Sequence, residues 1–132
     1  MTAPLFLIAD DNPQKIDYLL KAIHATEWDI EVVTALTTED AYDIMKRRRV
    51  DFAFMDYYIP NDNGPHMIER LKNRNPKARI ALVSSGKKPS NLKEALDAGA
   101  ETTICTSDPA HVVTKQLSDL LRSWMERGRM DA

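Results

Sequence analysis

The 132-residue chain is 43% hydrophobic and 29% charged, with a formal net charge of -2, the balance of one soluble globular domain rather than of a disordered or fibrous chain. No apolar stretch approaches the ~20 residues needed to span a bilayer, and the small net charge gives no general drive toward nucleic acid or an anionic membrane. Cys105 has no second cysteine to pair with; among Thr103, Ile104 and Thr106 it reads as a small buried hydrophobe in a strand, in keeping with a reducing cytoplasm.

The first apolar run, residues 4–9 (PLFLIA), follows no basic segment and stops at Asp10. It therefore reads as a buried strand and not as a signal peptide. Asn12 before Pro13 has the form of an N-cap with proline at the first helical position, and Ile16, Leu19, Leu20 and Ile23 follow at helical spacing to about Ala25. Residues 28–35 (WDIEVVTA) alternate and are rich in Ile and Val, as a strand with one partly exposed face should be. Thr37 and Asp40 resemble a capping box opening a second helix through Ala41, Ile44 and Met45. The basic run Lys46-Arg47-Arg48-Arg49 closes that helix, where cations complement the helix dipole, and reads as a solvated helix end rather than a nucleic-acid patch.

A third strand through Val50, Phe52, Ala53, Phe54 and Met55 ends abruptly in one carboxylate, Asp56, and the chain then breaks at Pro60 and Asn61-Asp62-Asn63-Gly64. Pro65 starts a helix through Met67, Ile68 and Leu71 that Asn75-Pro76 terminates. Residues 79–84 (RIALVS) form a fourth buried strand ending at the hydroxyls of Ser84 and Ser85. Ser90 is expected to cap the next helix, with Leu92, Ala95 and Leu96 on its apolar side and Gly99 at its C-terminal end. Residues 101–106 read as a short polar edge strand. Asp108-Pro109 opens a last helix with Val113, Leu117, Leu120, Leu121 and Trp124 on one stripe. The folded core is expected over residues 1–127, with 128–132 a tail or linker stump. Five strands alternating with five helices through short loops predict a single α/β domain with a parallel sheet covered on both faces.

In such a sheet the carboxyl ends of the strands converge on one crevice. Asp10, Asp11, Asp56 and Ser84 all stand at strand ends, so three carboxylates and a hydroxyl are expected to share a pocket. The repulsion among the carboxylates must be relieved by protonation or by a cation. Mg²⁺ is the natural partner, because it takes oxygen ligands and pairs with one or two carboxylates plus a phosphate. That set permits Asp56 to attack a phosphoryl donor and become an acyl phosphate, while Ser84 receives a transferred oxygen. His24, His66 and His111 lack metal-ligand spacing and read as surface or capping residues, with His66 close to the Asp56 loop. Tyr57 and Tyr58 read either as a partner platform or as packing over that loop.

At these residues the chain resembles a response-regulator receiver domain of two-component signal transduction. The matching motifs are Leu7-Ile8-Ala9-Asp10-Asp11-Asn12, Asp56 followed four residues later by Pro60 and eight later by Gly64, Ser84 after the fourth strand, and Ala98-Gly99-Ala100. The resemblance covers essentially the whole chain. It implies a flavodoxin-like doubly wound sheet in the order 2-1-3-4-5, with Asp56 as phosphoacceptor and Asp10 and Asp11 as the acidic pair for Mg²⁺. It also implies the Tyr58 main-chain carbonyl as a further metal ligand, Ser84 as the switch hydroxyl, and a cytoplasmic monomer or weak dimer. A histidine kinase or phosphotransfer protein is the implied donor, and a downstream protein the implied target.

Two positions depart from the family's pattern. Its fifth strand ends in Lys-Pro where this chain has Thr106-Ser107, and its aromatic switch position is Thr103 here. Phosphorylation is expected to survive, while the conformational response need not be the usual one, and Lys87 or Lys88 is expected to replace part of the missing ammonium. Two other functions compete. One is a receiver-shaped module that binds proteins irrespective of phosphate. The other is a Mg²⁺-dependent phosphohydrolase using Asp56 covalently, a class that usually has an acid or base two residues after the nucleophile, where Tyr58 stands.

Overall fold

The structure, a computed structural model, describes residues 4–130. In chain order it runs β1 (Leu5–Ala9), α1 (Pro13–Ala25), β2 (Glu31–Ala35), α2 (Thr38–Arg47), β3 (Phe52–Met55), β4 (Tyr58–Ile59), β5 (Asp62–Asn63), α3 (Gly64–Arg74), β6 (Arg79–Ser84), α4 (Pro89–Ala98), β7 (Thr102–Cys105) and α5 (Ala110–Met130). Five strands form one parallel sheet in the order β2-β1-β3-β6-β7. This is the expected 2-1-3-4-5 order once the antiparallel β4–β5 hairpin is set aside.

Local chemistry explains most boundaries. The Asn12 side chain accepts from the main-chain N–H groups of Gln14 and Lys15 and is followed by Pro13, so α1 starts where its orphan donors are satisfied. The Thr37 hydroxyl does the same for Asp40, and the Asn63 side chain for His66, which places the start of α3 at Gly64, one residue before the expected Pro65. At α4 the expected cap moves. Lys88 occupies the capping position without a side-chain bond, and Ser90 lies inside the first turn, because Pro89 lacks an N–H and has a φ that suits the first helical residue. Strand β2 begins at Glu31 rather than Trp28; Trp28 instead sets its ring edge-on to Phe52 at 4.8 Å. Cys105 is half-buried at the end of β7, with its Sγ 2.9 Å from the Ser107 hydroxyl, so it is less enclosed than its neighbours in sequence suggested. Helix α5 continues through Gly128 to Met130, and residues 131–132 of the expected tail lie outside the described residues.

The twofold alternation of side chains along each strand divides the apolar residues between two cores. Leu5, Leu7, Ala53, Met55, Ile80 and Leu82 face Ala41, Met45, Met67, Ile68, Leu71 and Ala95 of α2, α3 and α4. Phe6, Ile8, Phe52, Phe54, Val83 and Ile104 face Ile16, Leu19, Ile23, Val113, Leu117, Leu121 and Trp124 of α1 and α5. Each fully buried large side chain contributes about 1.5–3 kcal/mol of transfer free energy, so the strands are held from both faces. Their carboxyl ends are thereby fixed relative to one another.

Candidate functional site

The hydrogen-bonded ladder runs to the acidic residues and stops there. Ala9 pairs with Met55 and Met55 with Leu82; beyond them the Asp10 N–H donates to the Ala35 carbonyl at 3.0 Å and the Asp56 N–H to the Ala9 carbonyl at 3.1 Å. Strand β1 lies between β2 and β3, and the helices that follow β1 and β3 cover opposite faces. The gap between β1 and β3 is thus the point at which the winding reverses, the usual ligand crevice of an open parallel sheet.

Asp10, Asp11 and Asp56 meet there, each offering one carboxylate oxygen, with all three within 4.8 Å of one another. Asp10 is almost wholly buried, Asp11 is exposed and Asp56 is half-buried. The Asp10 carboxylate accepts from the Asn12 N–H at 2.9 Å, which ties it to the start of α1. Asp56 Oδ1 accepts from the Tyr57 N–H at 2.9 Å, whereas its Oδ2 has no hydrogen-bond partner among the described residues. Burial pushes the Asp56 pKa up, the Lys15 ammonium opposes this and Asp10 adds to it, leaving it above the ordinary carboxylate value. Ser84 ends β6 in the adjacent strand and is 4% exposed. Tyr58 begins β4 two residues after Asp56, with its ring exposed and set edge-on to Tyr57 at 4.7 Å. The Tyr57 hydroxyl donates to Glu94 of α4 at 3.1 Å and the Tyr58 hydroxyl accepts from Asn91 of the same helix at 3.4 Å, so both rings reach across to α4.

Lys15 is the group the sequence reading missed. Its Nζ lies 2.8 Å from Asp10 Oδ2 and 3.2 Å from Asp56 Oδ1, and donates to the Val83 carbonyl at the end of β6. Lys87 is elsewhere, ion-paired with Asp108, and Lys88 is exposed ahead of α4; neither takes the expected place of the missing ammonium. Three carboxylates against one ammonium leave an excess of negative charge in a cluster of hard oxygen donors. That donor chemistry fits a divalent cation such as Mg²⁺.

The sequence matches the response regulator receiver domain family over residues 6–115. The chain belongs to that family. Among curated proteins, the receiver is 29% identical over 126 residues to the transcriptional regulatory protein DesR of Bacillus subtilis, covering 95% of this chain and 60% of DesR. It is 29% identical over 119 residues to the response regulator GtcR of Aneurinibacillus migulanus, covering 89% of this chain and 48% of GtcR. The chain thus spans about half to three-fifths of the length of these relatives. In fold it is similar to a CheY-like receiver domain from Methanospirillum hungatei, with a TM-score of 0.82 at 18% identity, covering 99% of this chain and 100% of that one. It is also similar to a response regulator from Burkholderia pseudomallei whose structure has a phosphorylated aspartic acid, a calcium ion and citrate, with a TM-score of 0.72 at 19% identity, covering 97% of this chain and 74% of that one.

The loop that follows Asp56 in the receiver is braced by Asp62. Its carboxylate accepts from the Tyr42 hydroxyl at 2.5 Å, lies 2.7 Å from His66 Nδ1 and accepts from the Asn63 N–H at 2.9 Å. Burial alone would raise its pKa, but the bonds from Tyr42, His66 and Asn63 outweigh burial and hold it below the ordinary carboxylate value. Arg70, 4.5 Å over the Tyr42 ring, closes the cluster. Asp62→Ala is expected to cost about 1–3 kcal/mol at neutral pH. Because the folded pKa is depressed, the contribution of the carboxylate is complete above its unfolded value near 3.8 and is lost as pH falls through the folded value. Urea unfolding of both proteins at pH 7 and pH 3 checks this, and a difference that does not shrink in acid would rule out the electrostatic account.

Proposed function

We propose that the receiver is the phosphoacceptor module of a two-component phosphorelay, with Mg²⁺-dependent phosphoryl transfer to Asp56. The observation that carries this reading is Asp56 itself, held by Oδ1 at the end of β3 with a carboxylate oxygen within 4.8 Å of those of Asp10 and Asp11. The Oδ2 lone pair attacks phosphorus of a phosphohistidine on a histidine kinase or phosphotransfer protein. The phosphorus–nitrogen bond breaks, its electrons return to the imidazole with a proton from solvent, and Asp56 becomes an acyl phosphate. Asp10, Asp11, Asp56 and the Tyr58 carbonyl would hold Mg²⁺, which when bound supplies charge neutralisation between the incoming phosphoryl group and the acidic cluster. The Ser84 hydroxyl would donate to a phosphoryl oxygen. The phosphorylated aspartic acid and calcium ion of the Burkholderia pseudomallei relative support this assignment of roles. Dephosphorylation is the reverse economy of bonds: water attacks phosphorus, the bond to Asp56 breaks, and carboxylate and inorganic phosphate are released. The module is a cytoplasmic signalling component that acts on itself, with a downstream protein as its target, rather than a turnover enzyme.

The test is incubation with acetyl phosphate and Mg²⁺ followed by intact mass. Wild type is expected to gain one phosphoryl group, while Asp56→Asn and wild type in excess EDTA gain none. No gain in wild type would sink the reading and leave a phosphate-independent binding module, for which Thr103 and Thr106 in β7 and just beyond it would then be the natural evidence. Catalytic release of phosphate from varied monoesters would point instead to a phosphohydrolase.

A further inference from the structure

The position of Lys15 supplies what Thr106 cannot. We propose that Lys15, carried on the first turn of α1, is the cation that contacts the transferred phosphoryl group, in place of the lysine that the end of the fifth sheet strand does not provide. The proposal rests on the phosphoacceptor reading and names a residue that the family's motifs do not.

The ammonium touches the ends of three strands at once: Asp10 after β1 at 2.8 Å, Asp56 after β3 at 3.2 Å, and the Val83 carbonyl of β6. Val83 adjoins Ser84, so the charge is anchored next to the hydroxyl-bearing residue, while Asp11 and Asp56 Oδ2 are left to other ligands. Its side chain is 12% exposed, so the charge acts at short range with little screening. The Thr106 N–H is bonded to the Ser84 carbonyl at 3.0 Å, which puts residue 106 beside the site with a side chain too short to carry an ammonium. Lys87 is engaged by Asp108.

Local preference argues the same way. The third residue of a helix is a poor place for a cation, because it faces the positive end of the helix dipole, and the first turn of α1 has no acidic residue to offset it. The Lys15 main chain is nonetheless fixed there by the Asn12 cap, and helical side chains lean toward the N-terminus, here toward the strand ends. A residue that breaks a local rule while satisfying three partners across the sheet is held by its site.

The chemistry follows from charge. When Asp56 Oδ2 bonds to phosphorus and the donor's bond breaks with its electron pair, the carboxylate charge that Lys15 balanced leaves Asp56, and the phosphoryl oxygens bring a larger one. Lys15 exchanges its contact with Asp56 Oδ1 for a phosphoryl oxygen.

Four proteins test this with acetyl phosphate labelling, phosphate lifetime, thermal melting and Mg²⁺ titration by calorimetry: wild type, Lys15→Met, Lys15→Met with Thr106→Lys, and Lys87→Ala. Lys15→Met is expected to label at least tenfold more slowly, in line with loss of one oxyanion donor. It should melt as a folded protein and bind Mg²⁺ at least as tightly as wild type, because a competing cation has gone. Thr106→Lys in that background should recover most of the labelling rate, and Lys87→Ala should match wild type. Labelling of Lys15→Met within threefold of wild type overturns the proposal while leaving the phosphoacceptor reading intact, and so does a loss that Thr106→Lys fails to recover. Absence of labelling in wild type overturns both.

Discussion

Gly64→Ala is expected to destabilise the receiver by about 3 kcal/mol or more and to lower its Tm by on the order of 10 °C. Gly64 opens α3, is buried, and lies against the main chain of Asp56. A Cβ at this position would stand 2.3 Å from the Asp56 carbonyl oxygen, 3.1 Å from its carbon and 2.9 Å from Leu82 Cδ1. The leucine methyl can turn aside, but the peptide carbonyl has little freedom. The Asp56 N–H is bonded to Ala9, and the Gly64 N–H donates to the Tyr57 carbonyl at 2.8 Å. Relief requires lifting α3 from β3 or rotating the Asp56 peptide, and either moves the carboxylate. On the proposed function Mg²⁺ would stabilise the folded state by binding to it, and the same variant should therefore lose most of that stabilisation. Urea unfolding with and without Mg²⁺ measures both effects. A Gly64→Ala protein within about 1 kcal/mol of wild type that keeps its Mg²⁺ response would show that the backbone absorbs the extra carbon.

The acidic cluster was legible because strand ends are legible. An apolar run that stops at a carboxylate can be read residue by residue, and the alternation of strands and helices then places Asp10, Asp11, Asp56 and Ser84 at one end of the sheet. Lys15 was not legible by that route. It sits in a helix, where a lysine is unremarkable, and only its place in the first turn against the dipole marks it as unusual. The gap left by Thr106 pointed to the neighbouring loop and its Lys87; the ammonium that the structure places against Asp10 and Asp56 comes instead from Lys15 of α1. The β4–β5 hairpin also escaped notice. Its strands are two residues each, too short for any alternation, and Asn61 at a φ of 74° supplies the left-handed turn that Asn tolerates.

The strand ends are also held in register by the α1–α5 side of the sheet, and Trp124→Ala is expected to destabilise the fold by about 3–5 kcal/mol. Trp124 has no exposed surface and stands 5.8 Å from Phe6, 5.5 Å from Phe52 and 5.7 Å from Phe54 between ring centroids, so one indole covers the two central strands. Its Nε1–H donates to Glu101 at 3.1 Å, and the Glu101 carboxylate also meets Arg79 at 2.9 Å, which links α5 to the beginnings of β6 and β7. Truncation removes the aromatic contacts, leaves a cavity under a helix of 21 residues, and withdraws that hydrogen bond together. Trp124→Phe keeps most of the rings' contact and should cost roughly half as much. Circular dichroism in urea is the appropriate measure, since the indole is itself a fluorophore. On the proposed function the folded fraction of Trp124→Ala should still take up phosphate on Asp56, because the indole lies against Phe6, Phe52 and Phe54 while the carboxylates stand beyond Ala9 and Met55 at the strand ends. A destabilisation below about 1.5 kcal/mol would mean that Phe6, Phe52 and Phe54 close over the space. Loss of phosphate uptake in molecules that remain folded would mean instead that the α5 face positions the acidic cluster as well as supporting the sheet.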